Sequence, residues 1–153
     1  MSAPSTLAAN IGTGLVAGLA GTAAMTVSSS VEARLRGRRP SSAPARATAK
    51  VLGIKDFETD LDRARFNDLS HWGYGTGWGI VRGLLATAGL SGRAATAAHG
   101  AAIYGAAQVT LPALEIAPPS VFWGAEEVAI DAFHHLVYAT ATGIAYDLLD
   151  GAR

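Results

Sequence analysis

The first charged side chain in this 153-residue chain is Glu32. Before it, Ala8–Ser29 reads AANIGTGLVAGLAGTAAMTVSS, more than 20 residues without a charge. At about 1.5 Å per residue, a helix of that length crosses a hydrocarbon core of about 30 Å. Met1–Asn10 contains no Lys or Arg, whereas a secretory signal opens on a basic region, so the run is read as a retained helix. Its glycines point the same way. Glycine costs about 1 kcal/mol relative to alanine in a soluble helix, but between membrane helices it lets backbones approach closely. Gly14 and Gly18 are spaced for that, with Gly21 one turn on.

Charge is unevenly distributed along the chain. Of the 12 basic and 12 acidic residues, 15 lie between Glu32 and Asp68. This polar insert, residues 32–68, opens with Arg34, Arg36, Arg38 and Arg39, breaks at Pro40 and Pro44, and contains a short amphipathic segment, Ala45–Gly53. Three further apolar segments follow, near 69–90, 94–114 and 125–149. The expected fold is therefore all-α: one membrane domain over residues 1–153, a bundle of four transmembrane helices near 8–29, 69–90, 94–114 and 125–149. Lys and Arg concentrate in the insert, which the positive-inside rule places in the cytoplasm, with both termini outside. The expected location is the inner (plasma) membrane, multi-pass, and the bilayer itself is the first expected partner. A homo-oligomer or a larger membrane complex is the second. The net charge is zero, so there is no global nucleic-acid footprint and no nucleic-acid partner is expected. There is no cysteine, which excludes disulfides and thiolate metal sites.

The second segment, LSHWGYGTGWGIVRGLLATAGL, carries Gly75, Gly79 and Gly83 at four-residue spacing, a packing face. Arg82 shares that face with His71. A charge within a span is costly unless paired, hydrated or snorkelling, so Arg82 is expected to pair with an acidic residue of the last helix. In the last segment Glu127, Asp131, His134, His135, Tyr138 and Thr142 fall on a stripe about 100° wide. Carboxylates and histidines at this spacing could hold a divalent metal, relay protons or hydrogen-bond structurally. Glu127 to Thr142 extends about 22 Å along a helix, so a compact site would use a subset, with Asp131 and His134 or His135 the best-placed pair. The candidate polar cluster is Arg82, Glu127, Asp131, His134, His135 and Tyr138. A candidate metal set is Glu127, Asp131, His135 and His99. The glycine ladders are not phosphate cradles, since no Lys-Ser/Thr follows them. Ser28–Ser30 has no GxSxG context.

The run PPSVFWGAEEVAIDAFHHLVY, Pro118–Tyr138, resembles the end of the YagU-like family of uncharacterised bacterial inner-membrane proteins. The matching residues are Pro118, Pro119, Glu127, Asp131, Phe133, His135, Leu136, Val137 and Tyr138. Asp131 stands where YagU-like chains can carry Glu, and His134 has no counterpart. The resemblance implies a multi-helix inner-membrane protein, with no established activity, substrate or cofactor. Three functional readings follow. The first is a structural, envelope-maintenance or accessory membrane protein, with no enzymatic activity and no cofactor. The second is a proton- or ion-linked transport component using Arg82, Asp131 and His135. The third is a metal- or haem-binding membrane protein using the candidate metal set.

Overall fold

The end of the first helix shows how sequence sets the elements. Gly37 takes a left-handed conformation, φ 63°, and lets the Arg38 N–H reach back to the Ala33 carbonyl at 2.9 Å, a glycine C-cap. The structure, a computed structural model, describes residues 3–151 and is all-α. Helix α1 runs Ala3–Leu35, α2 Ala43–Leu52, α3 Asp60–Thr87, α4 Gly92–Ala113 and α5 Ala125–Gly151, with one 3-10 turn at Ser120–Phe122. All four expected apolar segments are helical.

The largest boundary difference is at α3, expected near residue 69 and starting at Asp60. Thr59 caps it: its hydroxyl oxygen accepts from the Asp62 N–H at 3.1 Å, and Asp60 and Asp62 favour the positive end of the helix dipole. Phe57 folds back against Phe66, ring centroids 5.1 Å apart. Of the mixed-charge stretch 55–68, expected as a surface loop or interfacial helix, residues 55–59 are a loop and the rest is the start of α3. Pro112 sits one residue before the end of α4, in keeping with the expected helix stop.

Helix α1 packs between α3 and α5. It is antiparallel to α3: Gly14 abuts Gly79, Gly18 abuts Thr76 and Gly79, and Thr22 abuts Gly75. It is antiparallel to α5: Gly21 meets Tyr138 and Thr142, Ser28 meets His134, and Arg36 meets Glu127. Helix α4 runs against α5, with Thr96 beside Gly143, Tyr104 beside His135 and Gln108 beside Asp131. This alternation gathers the 36–59 insert and the 114–124 connection at one end, with the 88–91 turn at the other.

The interior holds small apolar residues, chiefly alanine, beside large polar ones, while many large aliphatic side chains are on the perimeter. The largest fully buried side chains are Arg82, Tyr138, Tyr146, His99, Thr22 and Thr142. Val16, Leu19, Leu69, Val109, Phe133, Leu136 and Ile144, on four different helices, are exposed. Among the described residues one helix, Pro4–Leu35, is long and apolar enough to cross a membrane by length and composition. The other three long helices carry more polar side chains, many of them turned inward.

Candidate functional site

A cavity of about 840 Å³ opens at the end that holds the insert. Thr22, Thr26 and Ser29 of α1, His71 and Gly75 of α3, Ala107 and Thr110 of α4, and Asp131, His134, His135 and Tyr138 of α5 line it. Arg38, Pro44, Trp123 and Glu127 stand around its mouth. Helices α3 and α4 meet near their shared turn, where His99 reaches Trp78, and the cavity fills the space between them above that level. It ends at Tyr138, whose hydroxyl donates to the Gly75 carbonyl at 2.6 Å. Glu127 and Tyr138 are 11 residues apart on α5, so the cavity reaches about 16 Å down the bundle. Beyond that level the Gly14, Gly18, Gly79 and Gly83 contacts close α1 on α3.

Hydrogen bonding fixes the proton positions of three of the four histidines. Thr26 donates its hydroxyl proton to the Thr22 carbonyl at 2.7 Å. Its oxygen must therefore accept from His71 Nε2, 2.8 Å away, which puts the His71 proton on Nε2. His135 Nδ1 lies 2.8 Å from the Asp131 carbonyl and His99 Nε2 lies 3.0 Å from the Trp78 carbonyl. A carbonyl only accepts, so those nitrogens carry protons. In their neutral forms His71 and His135 retain a ring nitrogen able to take up a proton.

His134 bridges two groups of α1. Its Nδ1 is 2.5 Å from the Ser28 hydroxyl and its Nε2 is 3.7 Å from a Glu32 carboxylate oxygen. Ser28 and Glu32 are one helical turn apart, so α1 grips the ring from both sides. His134 is part of the cavity wall, whereas Ser28 is not. The arrangement orients an imidazole in the cavity wall, hydrogen-bonded to Ser28 at Nδ1 and with no hydrogen-bond partner at Nε2 among the described residues. Arg38 binds both oxygens of Glu32. Arg36 reaches Glu127 at 2.6 Å, and that hydrogen bond raises the Arg36 pKa above its ordinary value.

The polar stripe of α5 divides into three. His134, Tyr138 and Thr142 are buried, with His134 and Tyr138 bonded to α1 and α3. Asp131 and His135 face α4: Asp131 accepts from Gln108 at 3.5 Å, and the His135 ring packs edge-on to Tyr104. A stripe about 100° wide is broad enough to touch two neighbours, and α5 lies between α1 and α4. Glu127 is exposed and belongs to the Arg36 ion pair. Arg82 is not part of the cluster. It is 1% exposed, bonded to Asp147 at 2.7 Å, and its guanidinium lies 3.9 Å from the Tyr146 ring centroid. Asp147 is 16 residues beyond Asp131, about 24 Å along the helix. The expected acidic partner on the last helix is present, but near the opposite end of the bundle from the cavity.

The candidate metal set is not brought together. Glu127 is held by Arg36, His99 by the Trp78 carbonyl, and Asp131 lies with His135. Among the described residues no three His, Asp or Glu side chains converge as metal ligands. Sequence reasoning missed Ser28 and Asp147. Glu32, at the end of the first apolar run, was expected as a possible contributor to a site on the last helix, together with His71 and His99. No family model, curated protein or solved structure matches this chain.

Proposed function

We propose that this chain is a four-span membrane protein of the YagU-like kind, and that its cavity binds a small polar solute and exchanges protons with it. Of the readings set out from the sequence, this is the proton- or ion-linked one. It rests on one observation above all: a cavity halfway through the bundle, lined by His71, Asp131, His134 and His135, and ended by Tyr138. Helix bundles that serve only as structure fill that space with side chains. The Pro118–Tyr138 segment that carries the family resemblance supplies one wall, through Pro118, Trp123, Glu127, Asp131, His135 and Tyr138.

The four-span part is supported by the inverted polarity of the fold. In water, Arg and His sit outside and Leu and Val inside; here Arg82 and His99 are buried while Leu19, Val109 and Leu136 are exposed. The acidic ends of α5 agree with this. Glu127 and Asp147 are 20 residues apart, about 30 Å, the thickness of a hydrocarbon core. The ionisable residues between them, Asp131, His134, His135, Tyr138 and Tyr146, are buried or half-buried. In this reading the cavity opens to the cytoplasm, beside the arginine-rich insert.

The structural reading keeps a share of the molecule. Arg82, Asp147 and Tyr146 brace α3 against α5. Proteoliposomes enclosing a pH-sensitive dye test the proposal. Wild-type protein should collapse an imposed pH gradient faster than empty vesicles, and Asp131→Asn and His134→Gln should each slow it. Wild-type rates equal to those of empty vesicles, with and without small polar solutes, would sink the proton-linked reading.

A further inference from the structure

A second cavity, of about 630 Å³, lies between α2, the first turns of α3 and the connection after α4. Its wall sorts charge. Arg46, Lys50, Lys55 and Arg63 line it, with Glu115 as the single carboxylate. Asp56, Glu58, Asp60 and Asp62, which lie between Lys55 and Arg63 in the sequence, do not line it. Glu115 is committed to Lys50 at 2.7 Å. Arg46 and Lys55 form no ion pair among the described residues. Arg63 sits 5.9 Å from the Phe57 ring centroid, a contact that positions the guanidinium without neutralising it.

Three cations facing one groove repel each other, and a single anion on the groove axis relieves all three. The rest of the lining indicates which anion. Ile54, Phe57, Phe66 and Ile116 line the same groove. A basic groove lined in part by apolar side chains is amphipathic in the manner of a phospholipid at its headgroup level. The groove has a fixed shape. Gly53, in a left-handed conformation with φ 71°, ends α2, Phe57 packs on Phe66, and Arg46 and Lys55, on either side of Gly53 in the chain, both line the groove.

We propose that this groove seats the phosphodiester of an anionic phospholipid, held by Arg46, Lys55 and Arg63. The acyl chains leave along the apolar part of the lining, Ile54, Phe57, Phe66 and Ile116. The proposal rests on the membrane reading, which is tested separately by whether extraction of the protein needs detergent. It does not rest on the proton-handling cavity.

Native mass spectrometry of the full chain, purified in neutral detergent, tests it. Phosphatidylglycerol and phosphatidylcholine are added at equal concentration. Wild type should retain phosphatidylglycerol with about tenfold preference or more. The variant Arg46→Gln/Lys55→Gln/Arg63→Gln should lose that preference while keeping its helical circular dichroism and melting temperature. A control of equal charge change, Arg34→Gln/Arg39→Gln/Arg65→Gln, removes basic residues that do not line the groove and should keep it. Equal loss in both variants would mean diffuse charge and overturn the site. So would unchanged preference in the groove variant. Inorganic phosphate that bound in place of phosphatidylglycerol and displaced it fully would overturn the lipid assignment in favour of a free anion.

Discussion

The α1–α3 crossing gives a comparison between two proteins of identical composition, Gly79→Ala and Gly77→Ala. A Cβ on Gly79 would collide with the Gly14 carbonyl oxygen, and would lie 2.7 Å from its carbon and 3.0 Å from the Gly18 Cα. All three atoms are backbone within α1, so none can rotate aside. The helices must separate, which also loosens Gly18 on Thr76 and Thr22 on Gly75. Atom pairs are worth about 0.1–0.2 kcal/mol each. Losing 10–20 of them agrees with the usual overpacking cost of about 1–3 kcal/mol. A Cβ on Gly77 meets nothing within 4 Å, so that variant gains helix propensity, up to about 1 kcal/mol. The difference of about 2–4 kcal/mol corresponds to about 5–15 °C in melting temperature for a chain of this size. Circular-dichroism melts in one detergent would read it. A Gly79→Ala protein that melts level with or above Gly77→Ala would refute the close-approach argument.

Further outcomes are expected elsewhere in the molecule. Asp147→Asn leaves the buried Arg82 without its carboxylate and should destabilise by about 2–3 kcal/mol, the lower part of the range because Asp147 is half-exposed. Adding Arg82→Met should recover most of that loss, and chemical denaturation of the two variants checks it. Tyr138→Phe removes the hydroxyl that donates to the Gly75 carbonyl and should cost about 1 kcal/mol in the same assay. The hydrogen bond from Lys50 holds the Glu115 pKa below its ordinary value of 4.5. A depressed carboxylate stabilises the fold above that ordinary value and loses the effect as pH falls through its lowered one. Lys50→Gln should therefore lower the melting temperature slightly at neutral pH, leave it unchanged at pH values below the lowered Glu115 pKa, and so flatten the acid limb between them.

Much of the helical framework was legible because charge and glycine spacing carried it. The face of Gly75, Gly79 and Arg82 points inward, as its four-residue spacing required. The start of α3 was missed because mixed charge in Asp56–Asp68 masked a Thr59–Asp62 cap. The polar stripe of α5 was found but not its division, because a helical wheel shows one helix and the neighbours decide which side chains meet. The grip of Ser28 and Glu32 on His134 spans two helices about 100 residues apart in sequence, a relation that no single-helix periodicity contains. Asp147 falls outside the stripe, so nothing on the wheel selected it over Asp150 as the partner of Arg82. A wheel also carries no level from one helix to the next: Arg82 and Asp131 share a bundle but not a level.

The chain has no cysteine, so single cysteines can report directly on whether the apolar perimeter faces lipid. Leu19→Cys, Gly77→Cys, Ala101→Cys and Leu136→Cys place a thiol near the middle of each long helix. Ser41→Cys and Glu58→Cys mark the insert, and Ser91→Cys marks the turn at the other end. Labelling with a membrane-impermeant maleimide should leave the four mid-helix thiols unmodified until the membrane is dissolved. Ser91→Cys should react in intact bacteria, and Ser41→Cys and Glu58→Cys only after permeabilisation. Mid-helix thiols that react as fast as the loop thiols, in protein recovered without detergent, would contradict the membrane-spanning account.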